Sequence, residues 1–276
     1  MNDHDRKETE VRIAADRAAL PFNLLEQMRI PCGYERSFKL LPGRVLANRY
    51  LLGVDLKDIN SVQLQTIFQR LRMPDEFFHA LAEHLPDANL VFLGFEDNPP
   101  HGTYKFYLEF WERVKSEVRS NPTLLTPKLL HLGFKWSVED NSQRTTSKYV
   151  CYPLLSDDAI LQRMSDVYVG HTDSVSRNIA TEIVALAIRR AKEAPLIYLE
   201  VFEEDGLRRS FDINLYAAML SLKDIQPALI RLRDHFAIPM STFDRLYCLT
   251  CDKLLGHLSG GIGQNGEEFV TIYYEA

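Results

Sequence analysis

The sequence has few cysteines and no long hydrophobic segment. Its 276 residues include four cysteines, too few for the disulfide framework of a small secreted protein. No apolar run reaches the roughly 18 residues that a membrane-spanning helix needs, and the charged N-terminus, MNDHDRKETE, has no apolar signal segment behind it. We therefore expect a cytoplasmic protein that does not have a membrane as its partner.

The sequence also lacks an excess of positively charged residues. The formal net charge is −6, which argues against nucleic acid as the main partner. Hydrophobic residues make up 46% of the chain, enough for a substantial core. We expect residues 1–276 to form one domain, with a helix over residues 1–30 packing on it. The sequence does not indicate an oligomeric state.

The cysteines include one close pair, Cys248 and Cys251. A zinc site needs two further ligands at suitable spacing, and Cys32 and Cys151 are isolated. A redox pair begins a helix that follows a strand, whereas this pair falls near the end of a predicted helix. We therefore expect these cysteines to be small apolar fillers.

The sequence does contain five predicted β-hairpins. The first is ERSFKLLPGRVLANRYLLGVD, residues 35–55, in which Pro42-Gly43 marks the turn. The others turn at 99–102, in a polar loop near 140, at 204–206 and at Asn265-Gly266, which is the best short hairpin signal in the chain. Predicted helices alternate with these hairpins, so the plan repeats every 40–55 residues or so.

Ten strands in hairpins must be antiparallel to their partners. Closing them into a ring removes the exposed edges, and a barrel of ten strands encloses a ligand cavity. We therefore predict an α+β fold, a ten-stranded antiparallel β-barrel built from five αββ repeats with the helices outside. Two separate four- or five-stranded α+β layers are the alternative.

Alternation along the strands predicts which side chains face the lumen. Arg49, Lys105 and Lys148 fall on the inward face, and Lys39 and Lys135 are further candidates. Buried cations are costly unless they are neutralised, so a cluster of them predicts a polyanionic ligand such as a diphosphate. The alternative is a solvated face of an open sheet.

This layout resembles the aromatic prenyltransferases of ABBA (PT-barrel) architecture, and most of all the cyanobactin peptide prenyltransferases. The similarity lies in residues 35–54, with an acid at the start and an Arg in the second strand, and in Lys105-Phe106-Tyr107. It also includes the LGF run at residues 132–134 and the closing run FVTIYY at residues 269–274. It covers most of the chain in layout.

The resemblance implies transfer of a dimethylallyl group from its diphosphate, the co-substrate, to a ribosomally made, macrocyclic peptide. It makes Glu35 the catalytic residue, which accepts the proton of the acceptor or orients its heteroatom. The diphosphate and the allyl cation would be held by Arg49, Lys105, Lys148, Tyr107, Tyr152, Tyr216 and Tyr273. No aspartate-rich metal motif is present, and Mg²⁺ is a candidate cofactor only because peptide-modifying members often use it.

Several acids fall on the predicted inward face, and they bear on the choice of acceptor. A phenol or an indole needs one base, whereas a guanidinium would be attracted by two or three carboxylates. We expect an acceptor pocket that favours an Arg side chain, although internal pairing of these acids is an alternative. The pocket would be formed by Glu200, Asp212, Tyr198 and His257.

Three classes of function remain on this evidence. The first is a peptide prenyltransferase. The second is a prenyltransferase of small aromatic molecules, and the third is a barrel that binds an anionic small molecule without chemistry. The short C-terminal segment after the last predicted strand favours the peptide acceptor mildly.

Overall fold

The strands form one closed ring. The computed structural model describes residues 3–98, 101–121, 126–171, 173–192, 194–204, 206 and 208–276. Each strand pairs antiparallel with the next along the chain, and the first pairs with the last. The strands are β1 (Gly33–Leu41), β2 (Arg44–Asp55), β3 (Leu90–Asn98), β4 (His101–Glu109), β5 (Lys128–Ser137), β6 (Arg144–Cys151), β7 (Ile197–Glu203), β8 (Arg209–Asn214), β9 (Leu255–Ile262) and β10 (Glu268–Glu275).

Helices precede each hairpin and lie outside the ring. They are α1 (Asp3–Gln27), α2 (Ser61–Arg70), α3 (Asp75–His84), α4 (Trp111–Ser120), α5 (Asp157–Val167), α6 (Val175–Ala191), α7 (Gln226–His235) and α8 (Met240–Thr250). The α+β barrel of αββ units is therefore confirmed, and the alternative of two separate layers is wrong. Within the described residues, no helix is both long and apolar enough to cross a membrane.

Glycine sets the geometry of the hairpin turns at both ends of the chain. Gly43 follows β1 with φ +71°, and Gly266 lies between β9 and β10 with φ +78°. Both values lie in the left-handed region, which a glycine adopts without steric cost. The predicted turns at Pro99-Pro100 and at Asp205 lie outside the described residues.

The outward faces of the strands are apolar because they form the core with the helices. One cluster packs α1, α2 and α3 on β2 to β5, with Phe106, Phe134 and Trp136 fully buried. A second cluster packs α5 to α8 on the other side of the ring, around Phe211 and Ile272. The polar face of each strand is thereby left to line the lumen, as alternation requires.

The first helix lies on the wall of the barrel. The hydroxyls of Tyr50 and Tyr104 donate hydrogen bonds to the backbone carbonyls of Ala18 and Arg17, respectively. Burial of both rings between α1 and the sheet accompanies these bonds, since neither tyrosine is more than 4% exposed. The C-terminal part of α1 is thus held by specific polar contacts as well as by apolar packing.

Candidate active site

The lumen consists of three consecutive cavities. The first, of about 600 Å³, is lined mainly by polar and charged side chains. A narrow middle cavity of about 100 Å³ shares Tyr107, Tyr149 and Tyr273 with it. The third, of about 540 Å³, opens beside β1 and shares Glu35 and Phe92 with the middle cavity. We call them the basic chamber, the tyrosine waist and the acidic mouth.

One carboxylate in the basic chamber joins two cations from neighbouring strands. Arg49 and Glu96 are directly opposite each other on β2 and β3, and Arg49 Nε donates to Glu96 Oε2 at 2.9 Å. Lys105 Nζ donates to the same oxygen. Lys105 lies on β4 directly opposite Gly94 of β3. A Cβ at position 94 would lie 3.2 Å from Lys105 Cβ, so the glycine leaves room for the lysine to point inward.

A second carboxylate repeats this arrangement across the chamber. Glu203 Oε1 accepts from Lys135 Nζ at 2.7 Å and from Arg208 Nη1 at 3.0 Å. The hydroxyl of Ser147 donates to the same oxygen at 3.1 Å. A further cation, Lys39, has its Nζ 4.2 Å from the centre of the Phe269 ring. The buried part of the chamber therefore holds five cations and two carboxylates: Lys39, Arg49, Lys105, Lys135, Arg208, Glu96 and Glu203. Arg44 and Arg144 also line the chamber, where both are exposed.

The surplus of positive charge perturbs every lysine in the chamber. Burial and the neighbouring cations, against the pull of the carboxylates, lower the pKa of Lys39 and of Lys135 to about 7 and that of Lys105 to about 8. Burial alone would raise the pKa of Glu203, but Lys135 and Arg208 lower it to about 2. The lysines thus lack the negative charge that would keep them protonated.

Arg49 provides the clearest sign of a missing ligand. Its Nε is bonded to Glu96, but its Nη1 is buried and has no hydrogen-bond partner among the described residues. A buried guanidinium nitrogen without an acceptor is costly. An anion in the basic chamber would satisfy it and neutralise the lysines, so the residues fit a diphosphate.

Three tyrosines surround the waist between the two ends of the lumen. The rings of Tyr107 and Tyr149 meet edge to face, with centroids 5.7 Å apart. Tyr107 packs against Gly133 so closely that a Cβ there would lie 2.6 Å from its ring. Tyr273 stands 5.8 Å from the imidazole of His257. A reactive carbon held at the waist would therefore be enclosed by aromatic faces.

Glu35 lies beyond the waist and is bonded to a distant tyrosine. The hydroxyl of Tyr216 donates to Glu35 Oε1 at 2.8 Å. Gly256 permits this contact, because a Cβ there would lie 2.5 Å from the Tyr216 hydroxyl and 2.6 Å from Glu35 Oε1. Burial raises the pKa of Glu35 above its ordinary value. A carboxylate with a raised pKa is suited to accepting a proton during a reaction.

A histidine–aspartate pair adjoins Glu35. Asp212 Oδ1 lies 2.8 Å from His257 Nδ1. Burial would lower the pKa of His257, but Asp212, Glu35 and Glu109 outweigh it and raise this pKa to about 9. His257 is therefore an imidazolium near neutral pH, held by Asp212.

The structure brings seven of the predicted site residues together along the lumen. All seven line these cavities, and Lys105 and Arg49 both contact Glu96. The seven are Glu35, Arg49, Lys105, Tyr107, Asp212, His257 and Tyr273. Tyr216 lines the acidic mouth rather than the basic chamber. Its predicted place beside the diphosphate is wrong because the short turn after β8 carries it to the Glu35 end of the barrel.

Lys148 does not point into the lumen, so its predicted place beside Arg49 is wrong. It is exposed on the outer surface, and the inward side of β6 carries Thr145, Ser147 and Tyr149 instead. The residues of β6 around Lys148 are polar on both faces, so alternation alone did not identify the inward one. Lys135 and Arg208 occupy the part of the chamber that Lys148 was expected to fill.

Three more predicted lumen residues lie outside the barrel, against α5. The Tyr152 hydroxyl donates to Glu200 Oε2 at 2.9 Å, and Arg163 Nε donates to Glu200 Oε1 at the same distance. The Tyr198 hydroxyl also reaches Glu200 Oε1, at 3.3 Å. The predictions that Tyr152 contacts the diphosphate and that Tyr198 and Glu200 line an acceptor pocket are therefore wrong. On β7, the inward residues are Leu199 and Glu203.

Three residues of the site were missed. Arg208 comes just before β8, and the alternation of Ser210 and Asp212 extends back to it. Tyr149 and Glu203 were missed because they lie on β6 and β7, where the inward face was assigned to the wrong residues. Correct assignment of the inward face of β6 would have identified Tyr149, and correct assignment of the inward face of β7 would have identified Glu203.

The donor groups do not fit a metal ion held by the protein. Glu96 and Glu203 are each bonded to two cations. No cluster of three or more His, Cys, Asp and Glu side chains within the described residues could hold a metal ion. The cysteine pair is separate from the lumen, with Cys248 exposed on α8 and Cys251 directly after it.

The closed ring of αββ units and its charged lumen define the ABBA (PT-barrel) class of fold. Solved structures of this class include a 5-dimethylallyltryptophan synthase from Streptomyces coelicolor, which is 13% identical with a TM-score of 0.56 and covers 88% of this chain and 80% of its own. The prenyltransferase PriB, solved with L-tryptophan and dimethylallyl thiolodiphosphate, is 15% identical with a TM-score of 0.56. The match covers 88% of this chain and 79% of the PriB chain. The prenyltransferase NotF, solved with brevianamide F and the same analogue, is 13% identical with a TM-score of 0.50. The match covers 88% of this chain and 79% of the NotF chain.

No protein-family model matches the sequence, and no curated protein matches it either. At 13–15% identity, these structures show that the chain shares their fold. A specific relationship to the cyanobactin enzymes does not follow from them.

Proposed function

We propose that this protein is a prenyltransferase that moves a dimethylallyl group from its diphosphate to a nucleophile bound near Glu35. The observation that carries the proposal is the buried, unpartnered Nη1 of Arg49 in a chamber whose buried part holds five cations and two carboxylates. An allylic diphosphate supplies the missing anion, and its apolar tail points toward the tyrosine waist.

The basic chamber acts on the leaving group. Breaking the bond between the allylic carbon and oxygen places developing negative charge on the diphosphate. Arg49, Lys105 and Lys135 are fixed in place by Glu96 and Glu203, so they stabilise this charge without having to reorganise. Diphosphate binding also restores the ordinary protonation of the lysines.

The tyrosine waist acts on the allyl cation. The faces of Tyr107, Tyr149 and Tyr273 present negative quadrupole charge to a cation. They also keep water away from it, which favours transfer over hydrolysis. Glu35, on the far side of the waist, accepts the proton that the nucleophile loses as the new bond forms.

A small molecule is the better supported acceptor. PriB and NotF share this fold and were solved with L-tryptophan and brevianamide F, respectively. A peptide acceptor, as the sequence resemblance implies, is the second candidate. It is favoured by the acidic mouth of about 540 Å³, which is bordered by the exposed residues Cys32, Gly33 and Tyr34.

The test is incubation with dimethylallyl diphosphate and a mixture of small aromatic molecules, amines and cyclic peptides, read by mass spectrometry and by release of diphosphate. We expect one product with a single added isoprene unit, and no product with Glu35→Gln. The reaction should proceed in EDTA, with any magnesium acting as a counter-ion of the diphosphate. A protein that binds dimethylallyl thiolodiphosphate but alkylates nothing would instead be a binding protein of the same barrel.

A further inference from the structure

The two ends of the lumen differ in how their carboxylates are paired. In the basic chamber, Glu96 and Glu203 each contact two cations within 3.0 Å. At the other end, Glu35 and Glu109 lie on the inward faces of β1 and β4 without such partners. The lumen is therefore polarised along its axis, with unmatched positive charge at one end and unmatched negative charge at the other.

Glu35 has no cationic group within ion-pair distance in the described part of the chain. Its hydrogen-bond partner is the neutral hydroxyl of Tyr216, at 2.8 Å. Burial raises its pKa against the opposing effect of the His257 imidazolium, which is the expected response of a carboxylate that has no cation in direct contact. A cation placed against its free oxygen would restore ionisation.

Glu109 is in a similar position two residues beyond Tyr107. Asn89 Nδ2 donates to it at 3.1 Å. Among the described residues, its candidate partner at ion-pair distance is His131, whose Nδ1 is 3.9 Å away. Lys115 and His257 act on Glu109 from further away, and burial still raises its pKa. Burial lowers the pKa of His131 to about 4, so this imidazole is neutral near pH 7 and does not balance Glu109.

Asp212 is paired with His257, so this pair neither adds to nor cancels the negative charge of Glu35 and Glu109. Counting Glu35, Glu109 and Asp212 as three negative charges and His257 as one positive charge leaves a surplus of two. Asp58 borders the mouth further out and adds to the negative potential there, whereas Asp55 beside it is paired with Lys57 at 2.7 Å. Phe92, Tyr216 and His257 provide ring faces around the same space.

We propose that the acceptor is a guanidinium group, which enters through the acidic mouth and is alkylated on nitrogen at the waist. This rests on the proposed prenyl transfer and names its acceptor class. A neutral indole or phenol needs one base and would leave Glu109 unmatched. A guanidinium offers several donors in a plane, so it can reach separate carboxylates while it stacks on an aromatic ring.

The proposed step balances in atoms and charge. The bond between the allylic carbon and the diphosphate oxygen breaks, and its electron pair leaves with the diphosphate. A guanidinium nitrogen transfers its proton to the Glu35 carboxylate and uses the freed electron pair to bond to the allylic carbon. The product is an alkylguanidinium that keeps a single positive charge, and Glu35 later releases the proton to solvent.

The experiment compares acceptors that differ in charge but hardly in shape. Nα-acetyl-arginine methylamide is paired with the neutral citrulline analogue, and Nα-acetyl-tryptophan methylamide serves as the aromatic acceptor. We expect kcat/KM for the arginine compound to exceed that for the citrulline compound by about 100-fold or more, because both charge and donors are lost. Agmatine and an arginine-containing cyclic hexapeptide distinguish a free small molecule from a peptide as the source of the guanidinium.

Substitution of Glu109 tests the pocket without removing the base. Glu109→Gln should raise KM for the arginine compound about tenfold, with little change in kcat or in the Kd of dimethylallyl thiolodiphosphate. Glu83→Gln, which replaces an exposed carboxylate of α3, is the matched control and should change neither. An unchanged KM in Glu109→Gln would contradict the proposal.

The outcomes separate this inference from the proposed function. If the thiolodiphosphate does not bind, prenyl transfer itself is wrong. If it binds and the tryptophan or citrulline compound is alkylated as well as the arginine compound, the enzyme assignment stands and the guanidinium acceptor is wrong.

Discussion

Arg49 donates to Glu96 through Nε at 2.9 Å while its Nη1 is buried without a partner. One side of the guanidinium is therefore fixed by the protein and the other is left to a ligand. Glu96 holds Lys105 in the same way, so a single carboxylate aims two cations at the basic chamber. Across the chamber, Glu203 holds Lys135 and Arg208 in a corresponding arrangement.

Replacing Arg49 should weaken diphosphate binding more than it weakens folding. We expect Arg49→Gln to raise the Kd of dimethylallyl thiolodiphosphate about 10- to 100-fold, the effect of losing a charge-assisted hydrogen bond worth about 1.5–3 kcal/mol. Isothermal titration calorimetry measures it. Lys148→Ala is the control, since Lys148 is exposed outside the barrel, and an equal loss in that variant would show that general surface charge governs binding.

Removing a paired carboxylate should destabilise the ligand-free protein. Glu203→Gln leaves Lys135 and Arg208 facing each other without a counter-charge. We expect a loss of about 3–5 kcal/mol in the free energy of urea unfolding, much of it recovered when inorganic diphosphate is added. The effect depends on the carboxylate being ionised, and its pKa is lowered from 4.5 to about 2. The stabilisation is therefore present above pH 4.5 and is lost as the pH falls toward 2.

Glu182→Gln is the matched control for that experiment. Glu182 pairs with Arg231 on the exposed surface of α6 and α7. An exposed pair contributes about 0–1 kcal/mol, so this variant should unfold at nearly the wild-type urea concentration. Equal losses in the two variants would mean that the Glu203 pairs are no more important than a surface ion pair.

The lysines of the basic chamber should make diphosphate affinity depend on pH. The pKa values of Lys39 and Lys135 are lowered to about 7 and that of Lys105 to about 8, so these groups lose protons as the pH rises from 6.5 to 9. A bound anion favours their charged forms, so binding takes up protons and the affinity falls over this range. We expect roughly tenfold weaker binding for each lysine that becomes neutral.

Calorimetry in buffers of different ionisation enthalpy measures this proton uptake directly. Lys135→Arg provides the control, because a guanidinium stays charged across the whole range. Its pH dependence should be flatter than that of the wild-type protein. A wild-type affinity that is constant from pH 6.5 to 9 would contradict the lowered lysine pKa values.

The barrel could be predicted from sequence because hairpin turns and helices alternate clearly along the chain. Arg49 and Lys105 were assigned to the lumen correctly since β2 and β4 have an apolar face opposite a polar one. Lys148 was assigned wrongly because β6 is polar on both faces, and an error of one residue exchanges the two faces of a strand.

The pairing inside the lumen was beyond what alternation can predict. Glu203 meets Lys135 across 68 residues of sequence, a contact that depends on the register of several strands. Arg208 lies just outside β8, and the alternation of Ser210 and Asp212 indicates its inward direction but not its contact with Glu203. The contact of Tyr216 with Glu35 across 181 residues depends on a short turn after β8 and on the absence of a side chain at Gly256.

Gly256 provides a test of the acid end that leaves the basic chamber intact. A Cβ at this position would lie 2.5 Å from the Tyr216 hydroxyl and 2.6 Å from Glu35 Oε1, closer than packed atoms come, so Gly256→Ala must displace both side chains. Because Glu35 is the proposed proton acceptor, we expect kcat to fall about 100-fold or more. The Kd of the thiolodiphosphate should stay within about twofold of the wild-type value, because the diphosphate contacts are made on the other side of the waist. Gly33→Ala is the control at the same end of the barrel, because its nearest neighbour would be the Gly53 carbonyl oxygen at 3.9 Å, an ordinary contact. If Gly256→Ala kept full turnover, the geometry of Glu35 and Tyr216 would not matter to the reaction, and the assignment of Glu35 as the base would be wrong.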